Sequence, residues 1–536
     1  MTRRVAIVGV GPKGLFALER LLHYTRMREN GGALRIDAYE PHPTPGAGAV
    51  YEPGQPPYLL MNFQASQVNM WPPDSRAVPL EVQRSFVEWR GGASREQYPP
   101  RAQVGRYLAD GLSLLLKHRP GNVQISLRNA RVDSISRSDR RWLVQTQRSN
   151  ESYDEVLVTT GHQASWSGAL SGSWPGAAPL IPAVYPVDRW LGADAATPGA
   201  DVAIRGFALS FIDAALALTE GRGGSFLPDD SRATLRYLRG EDEVGIILPF
   251  SRTGRPMLAK PGHGTGSRAE QSTALACEQI LSLCPGFDLE QELLPIIAAV
   301  ADAAAPRVSA LPALVGASRN QPPPIDCGPR EELSRSLQIA QGKRAPDLGW
   351  ALGQAWRSVY PAIVERLSGG GLSESDRLAF RALAGQMERV AFGPPAVNAA
   401  KLLALVDAGK VDLCFVSGAE LTAHKHRSAL RLGGFARPVD VVVDAVLPPP
   451  GAVGPLADLL LARGYAHTSA GRRGIEVMAD GECVAPDGGR LPGLSAAGRI
   501  TEDCIVGNDT LNRALHPLLD RWAARVTASE SARQPA

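Results

Sequence analysis

The stretch Val5-Ala-Ile-Val-Gly9-Val-Gly11-Pro12-Lys13-Gly14 decides the fold. A short β-rich apolar run ends directly in Gly-x-Gly-x-x-Gly. A helical pattern follows, with Leu15, Leu18, Leu21 and Leu22 on one face. This is the strand–turn–helix context that a dinucleotide-binding turn requires. Gly9 permits the tight turn, Gly11 lets backbone approach a pyrophosphate at the helix N-terminus, and Gly14 allows close packing of helix on strand. A second apolar run, Leu34–Glu40, ends in an acid placed to accept hydrogen bonds from a ribose diol. Glu40 lies 26 residues beyond Gly14, and the polar insert Arg26–Gly32 accounts for the excess over the usual spacing of ~20. The motif alone does not separate FAD from NAD. The bland alternative is a glycine-rich turn followed by a surface acid.

Three further segments fit a flavoprotein. Tyr153–His162 reads as a strand ending in Thr160-Gly161, of the kind that returns to the first sheet beside a cofactor. The segment Met61-Asn62-Phe63-Gln64-Ala65-Ser66, with Asn69–Asp74 after it, reads as a loop able to carry function. Near the end, Gly498–Arg513 precedes a helix expected from Thr510 to about Val526, with Asn508 or Asp509 as its N-cap. The free N–H groups at such a helix start suit the pyrimidine carbonyl of a reduced flavin.

A second nucleotide fold is legible in degraded form. Asp201-Val-Ala-Ile-Arg-Gly206-Phe-Ala208-Leu-Ser210 runs strand into turn into helix, but Ala208 stands where the second glycine belongs. The strand Val244–Phe250 then ends in Ser251-Arg252, where an Arg can accommodate the 2′-phosphate of NADP. Residues 265–392 are rich in Ala, Leu, Glu and Arg and read as mostly helical. The expected organisation is α/β, with a discontinuous Rossmann-like FAD domain (1–190 and 393–536). An NAD(P)-binding-like domain (191–264) and a helical substrate or lid subdomain (265–392) are inserted into it.

The chain has 536 residues, 44% hydrophobic and 21% charged, so an ordinary core is available and wholesale disorder is excluded. A net charge of +3 without clustered Lys/Arg argues against nucleic acid as a partner. Six scattered cysteines without Cys-x-x-Cys argue against a disulfide scaffold, a cysteine zinc site and a disulfide reductase, and no metal is expected. The opening apolar run is broken at once by Gly11, Pro12 and Lys13, which rejects a signal peptide. No run reaches the ~18 apolar residues of a membrane span. A cytoplasmic enzyme is expected, and apolar helix faces that serve core and interface alike leave room for a homodimer.

The chain resembles a bacterial family of FAD/NAD(P)-binding proteins. The resemblance rests on the first glycine turn, Gly46-Ala-Gly48-Ala-Val-Tyr51, Leu60-Met61-Asn62, Tyr98-Pro-Pro-Arg101 through Tyr107, and Thr160-Gly161-His162. Ser251–Pro256, Phe392-Gly-Pro-Pro395 and Gly498–Arg513 complete it. Some members resemble flavin-dependent N-hydroxylating monooxygenases, including enzymes that oxidise the amine of aspartate to nitrosuccinate. The resemblance implies FAD, NADPH, O₂ and a small amino acid or amine as substrate. Asn62, Gln64, Trp71 and Arg101 are then the candidates at the reacting centre. Gly9, Gly11, Pro12, Lys13, Gly14, Glu40, Asn62, Thr160, Gly161, Asn508, Asp509 and Thr510 are expected around FAD, with Gly206, Ser210, Ser251 and Arg252 around NADPH. Arg101, Arg499 and Arg513 can hold a carboxylate by bidentate pairing, with His516 beside them. His162 and His516 can relay protons, although a structural histidine is the commoner case. The alternative enzyme is a dehydrogenase or oxidase in which the substrate itself reduces FAD; a non-enzymatic FAD-stabilised carrier or redox sensor is a third reading.

Overall fold

The computed structural model describes residues 2–28, 32–92, 97–163, 169–172, 174, 176, 178–229, 234–261, 267–305, 309–321, 326–424, 427–508 and 510–528. The strands used below are β1 Arg3–Val8, β2 Leu34–Tyr39, β3 Val123–Arg128, β4 Glu155–Val158, β5 Leu180–Ile181, β6 Val202–Arg205, β7 Ile247–Phe250, β8 Val441–Asp444, β9 Glu482–Val484 and β10 Arg490–Ala496. The helices used below are α1 Pro12–Met27, α2 Arg101–Lys117, α3 Leu209–Ala217, α4 Leu348–Leu367, α5 Glu374–Ala391, α6 Ala396–Asp407 and α7 Leu518–Thr527.

Val5, Ala6, Ile7 and Val8 of β1 are all buried. Continuous burial, rather than alternation, marks a strand covered on both faces of a parallel sheet. Accordingly β1 lies between β2 and β4, parallel to both, in the order β9-β10-β4-β1-β2-β3. Only the edge pair β9–β10 is antiparallel. The predicted return strand therefore pairs in register with β1, Val8 opposite Val158. An antiparallel meander (132–138, 141–146, 150–153) fills the crossover from β3 to β4.

The second sheet runs β7-β6-β8-β5, all parallel. The fold is thus α/β with two dinucleotide-binding units. One expectation is corrected here. The sequence places residues 393–536 in the first domain, but β8 inserts between β6 and β5, and Leu402 and Leu403 of α6 share a core with Phe211 and Leu216 of α3, so the first part of that stretch belongs to the second unit. An apolar strand carries no mark of which sheet will accept it, so the return to the first sheet comes only at β9 and β10. The helical insert is also divided. Helices 267–282, 294–304 and 311–318 pack with α4 and α5 in their own core, whereas Leu333 and Leu337 of helix 329–340 join the second unit. Among the described residues, no helix is long and apolar enough to cross a membrane.

Candidate functional site

The first glycine turn is built by backbone contacts. Gly9 has φ +99, and a Cβ there would stand 2.5 Å from the Thr159 carbonyl oxygen. A Cβ on Gly14 would stand 2.1 Å from the Gly9 oxygen. A Cβ on Gly11 would meet only Gly48 Cα, at 3.9 Å, so the space above this residue is open. Pro12 opens α1, which has no side-chain cap, and its first-turn N–H groups are available to an anion. Glu40 accepts from Val10 N (2.8 Å) and His42 N (2.9 Å), and its carboxylate retains further acceptor sites. The Gly46–Gly48 loop is tied to the turn through Gly46 N–H to Val10 O (2.6 Å). Gly105 of α2 supports that loop, since a Cβ there would fall 1.6 Å from Tyr51 O.

Thr160 and Gly161 follow β4 beside this turn, but the direct contact is made by the preceding residue. Thr159 Oγ1 donates to Gly9 O at 2.6 Å. The C-terminal segment arrives at the same place. Ala497 N–H donates to Val158 O (3.0 Å), and a Cβ on Gly498 would lie 3.3 Å from Lys13 Cγ. Asn508 is 2% exposed; its Nδ2 donates to Ile505 O (2.8 Å) and Glu502 Oε2 (3.2 Å), while Oδ1 is buried with no hydrogen-bond partner among the described residues. Asp509 lies outside the described residues. The helix expected from Thr510 begins instead at Leu518, because Pro517 disfavours helical backbone at the residue before it. Thr510 Oγ1 accepts from Asn512 N in the intervening turn, and His516 Nε2 lies 2.9 Å from Gly507 O.

In the second unit, Gly206 has φ +108 and donates to Phe250 O (2.9 Å). Ala208 precedes α3 with φ −110, so the absent glycine costs no backbone strain. Ser210 is buried in the first turn of α3. Ser251 Oγ is occupied locally, donating to Val416 O (3.0 Å) and accepting from Gly254 N (3.0 Å). Arg252 is exposed past the end of β7.

Three predicted site residues are committed to the scaffold. Arg101 donates to Asp213 Oδ2 on α3 (2.6 Å) and to Leu60 O (3.2 Å), with Tyr185 also donating to Asp213. Burial opposes its charge, but Asp213 and Tyr185 outweigh this and raise its pKa. It ties the two nucleotide units together. Arg513 pairs with Glu19 of α1 at 2.6 Å and lies 4.6 Å from the Phe16 ring. Trp71 is buried in the first core, with its backbone N–H donating to Asn69 Oδ1 (3.0 Å). Arg499 donates to Pro448 O (3.1 Å), and His162 is exposed after Gly161.

Asn62 and Gln64 stand elsewhere, where the first unit, second unit and helical insert meet. Asn62 Nδ2 donates to Phe392 O (3.2 Å), and its own carbonyl accepts from Lys260 Nζ. Gln64 hydrogen-bonds Tyr98, whose hydroxyl donates to Pro261 O (3.2 Å). Lys260 is 9% exposed and sits 5.4 Å from the Phe392 ring centre. Burial first, and then the neighbouring Arg357 charge, push its pKa down to about 7. Burial likewise pushes Arg357 down to about 10. Sequence reading missed both residues, because nothing in Leu258-Ala-Lys-Pro261 reveals that its lysine is buried.

That burial has a measurable consequence. Below about pH 7 Lys260 is charged in both folded and unfolded states, and the folded state bears the full desolvation cost. Between about 7 and its ordinary 10.5 only the unfolded state holds the proton, so the cost fades as pH rises. Lys260→Met is therefore expected to stabilise the cofactor-free protein by about 1–3 kcal/mol at pH 6, with the gain closing toward pH 10. Urea denaturation at both pH values checks this, and an equal or negative shift at pH 6 would refute it.

With this geometry in place, comparison with known proteins is informative. Residues 6–163 match the family described as FAD-NAD(P)-binding. This stretch is similar to an FAD-NAD(P)-binding domain. It contains the first glycine turn, Glu40, the Asn62–Gln64 loop and Gly161. The chain is 31% identical over 293 residues to a nitrosuccinic acid synthase of Aspergillus oryzae, covering 52% of this chain and 44% of that protein. It is 30% identical over 340 residues to a nitrosuccinate-forming L-aspartate N-monooxygenase of Streptomyces cremeus, covering 55% and 49%. The chain thus spans about half the length of the curated relatives it matches. A solved structure of the cadaverine monooxygenase DfoA from Erwinia amylovora, bound to FAD, aligns with TM-score 0.47 and 12% identity over 99% of this chain and 96% of that one.

Proposed function

We propose that this protein is an FAD-dependent monooxygenase that uses NADPH and O₂ to oxidise the amine nitrogen of a small amino acid. The observation carrying this reading is the union of a stretch that matches the FAD-NAD(P)-binding family and a second parallel sheet in one chain. Its likeness to two enzymes named for nitrosuccinate formation points to the amine as the reacting group. FAD fits the first unit on two counts: the open face of Gly11, where a Cβ would meet only Gly48 Cα at 3.9 Å, and Asn508 Oδ1 in the returning C-terminal segment, buried without a hydrogen-bond partner among the described residues. Bound there, FAD would accept a hydride and activate oxygen.

The chain's own residues then have distinct tasks. Gly9, Gly11, Gly14 and the N-terminus of α1, with Pro12 and Lys13, hold the pyrophosphate, and Glu40 holds the ribose. Thr160, Gly161, Asn508 and the turn at Thr510 border the far end of the cofactor. Gly206, Ser210 and the exposed Arg252 receive NADPH, with Arg252 facing the 2′-phosphate. Asn62 and Gln64 orient the amine at the junction of the three units, and the helical insert excludes water from it.

Anaerobic mixing tests the reading. NADPH is expected to bleach the bound flavin, whereas amino acid alone leaves it yellow; the reverse result would identify a dehydrogenase or oxidase. Under air, a panel of amino acids including aspartate is expected to yield a hydroxylamine, nitroso or nitro product. Peroxide as sole product, with NADPH oxidation indifferent to any amine, would overturn it. Arg252→Ala is expected to raise KM for NADPH about tenfold and leave KM for NADH unchanged.

A further inference from the structure

We propose that Lys260 and Arg357 form a carboxylate seat that holds the amino-acid substrate, an inference that rests on the function proposed above. The two cations converge on one short segment. Lys260 Nζ stands over the Phe392 ring at 5.4 Å, and Arg357 Nη1 donates to the oxygen of the adjacent Ala391 at 2.8 Å. Lys260 otherwise donates to Asn62 O, and Arg357 Nη2 to Gln354 Oε1 (3.0 Å). Among the described residues no carboxylate is paired with either of them.

The absence of an acid is unusual for this molecule. Lys410 pairs with Glu243 at 2.8 Å, Arg101 with Asp213 at 2.6 Å, Arg513 with Glu19 at 2.6 Å and Arg389 with Glu332 at 2.9 Å. Arg222 has no such pair among the described residues, but it donates to the carbonyls of Ala196, Asp242, Leu191 and Gly192. Two neighbouring cations, Lys260 buried and Arg357 half-buried, are costly without an acid, and a ligand carboxylate supplies the missing charge. The planar guanidinium can donate to it bidentately while the ammonium binds as a point charge. The seat is also well placed. Lys260 touches Asn62, and Tyr360, one turn beyond Arg357, packs so tightly on Gly507 that a Cβ there would lie 2.5 Å from its hydroxyl. The seat therefore lies between the Asn62–Gln64 loop and the C-terminal segment that returns to the first turn.

Binding must then carry a proton. The charged or titratable neighbours are Arg357, Tyr98 (its pKa raised by burial), Arg389 and Arg255 against Glu332, and Asp347, which caps α4. A carboxylate in the seat favours charged Lys260, so its pKa rises on binding. Above pH 7 the protein takes up a proton as the ligand binds, and affinity falls by up to about tenfold per pH unit.

The test is isothermal titration of oxidised holoenzyme with L-aspartate and with succinate, which has carboxylates but no amine. Wild type is expected to bind both with proton uptake at pH 8, read by repeating the titration in buffers of different ionisation enthalpy. Lys260→Met and Arg357→Met are each expected to bind about 100-fold more weakly, with Lys260→Arg recovering most of the loss. Flavin content reports folding of each variant. Unaltered binding by the variants, binding without proton uptake, or no binding of either ligand by yellow wild-type protein would each overturn the seat. Seat-dependent binding without any N-oxidised product would leave the seat standing and remove the proposed reaction instead.

Discussion

Glu19→Gln is expected to destabilise the protein by about 3–5 kcal/mol. Glu19 lies in the middle of α1, fully buried, and accepts from Arg513 at 2.6 Å, from Arg20 at 2.8 Å and from the Ser75 hydroxyl. Arg20 has secondary partners in Asp74 and Asp520, both at 3.2 Å, whereas Arg513 is otherwise held by Met70 O and the Phe16 ring. Neutralising Glu19 strands a guanidinium inside the first unit, and breaking one side of a buried pair costs far more than removing both. Burial opposes the ionised form of Glu19, but Arg513 and Arg20 outweigh it and hold its pKa below the ordinary 4.5. A depressed carboxylate contributes stability that is complete above its unfolded pKa and is lost as pH falls through its folded value. Wild type should therefore lose stability on that acid limb, and the variant should lose less. Urea denaturation between pH 3 and 7 is the measurement; a cost under about 1 kcal/mol at pH 7 would show that the cluster is not a keystone.

The same cluster explains what the sequence could and could not reveal. The first turn was legible because its determinants are local: three glycines, an apolar strand before them and a helical pattern after. The helices of the insert were legible for the same reason, from their apolar period. Arg101 and Arg513 were not. Each looked like a cation awaiting a substrate, because its acid stands 112 and 494 residues away, on α3 and α1. The sheet that takes the strand at 441–444 is not legible in the sequence, since Val-Val-Val satisfies any buried parallel position. Lys260 shows the converse. Its partners Asn62, Phe392 and Arg357 come from three distant segments, and only the fold brings the cations together with no acid paired to them among the described residues. In each case local code sets the element, while the destination of a charge is set by long-range packing.

Two neighbouring glycines separate cofactor binding from folding. Gly11→Ala is expected to fold and to emerge colourless. Its Cβ would stand 3.9 Å from Gly48 Cα, an ordinary contact, so the protein itself has room for a methyl group. The methyl group would fill the cradle through which backbone approaches the pyrophosphate, and FAD affinity should fall by at least ~100-fold. Gly14→Ala is expected to fail differently. Its Cβ would fall 2.1 Å from the Gly9 oxygen and 3.3 Å from Ile7 Cγ2, so α1 must shift away from β1. That shift strains a fully buried helix–strand contact and should cost about 3 kcal/mol or more, in the range of severe overpacking. Loss of FAD then follows from loss of structure. Circular dichroism melts of cofactor-free protein, beside flavin fluorescence quenching on titration with FAD, distinguish the two. Gly11→Ala should match wild type in the melt and lose the quenching, whereas Gly14→Ala should lose both. If Gly11→Ala binds FAD as wild type does, the pyrophosphate does not sit on this turn, and the assignment of FAD to the first sheet fails with it.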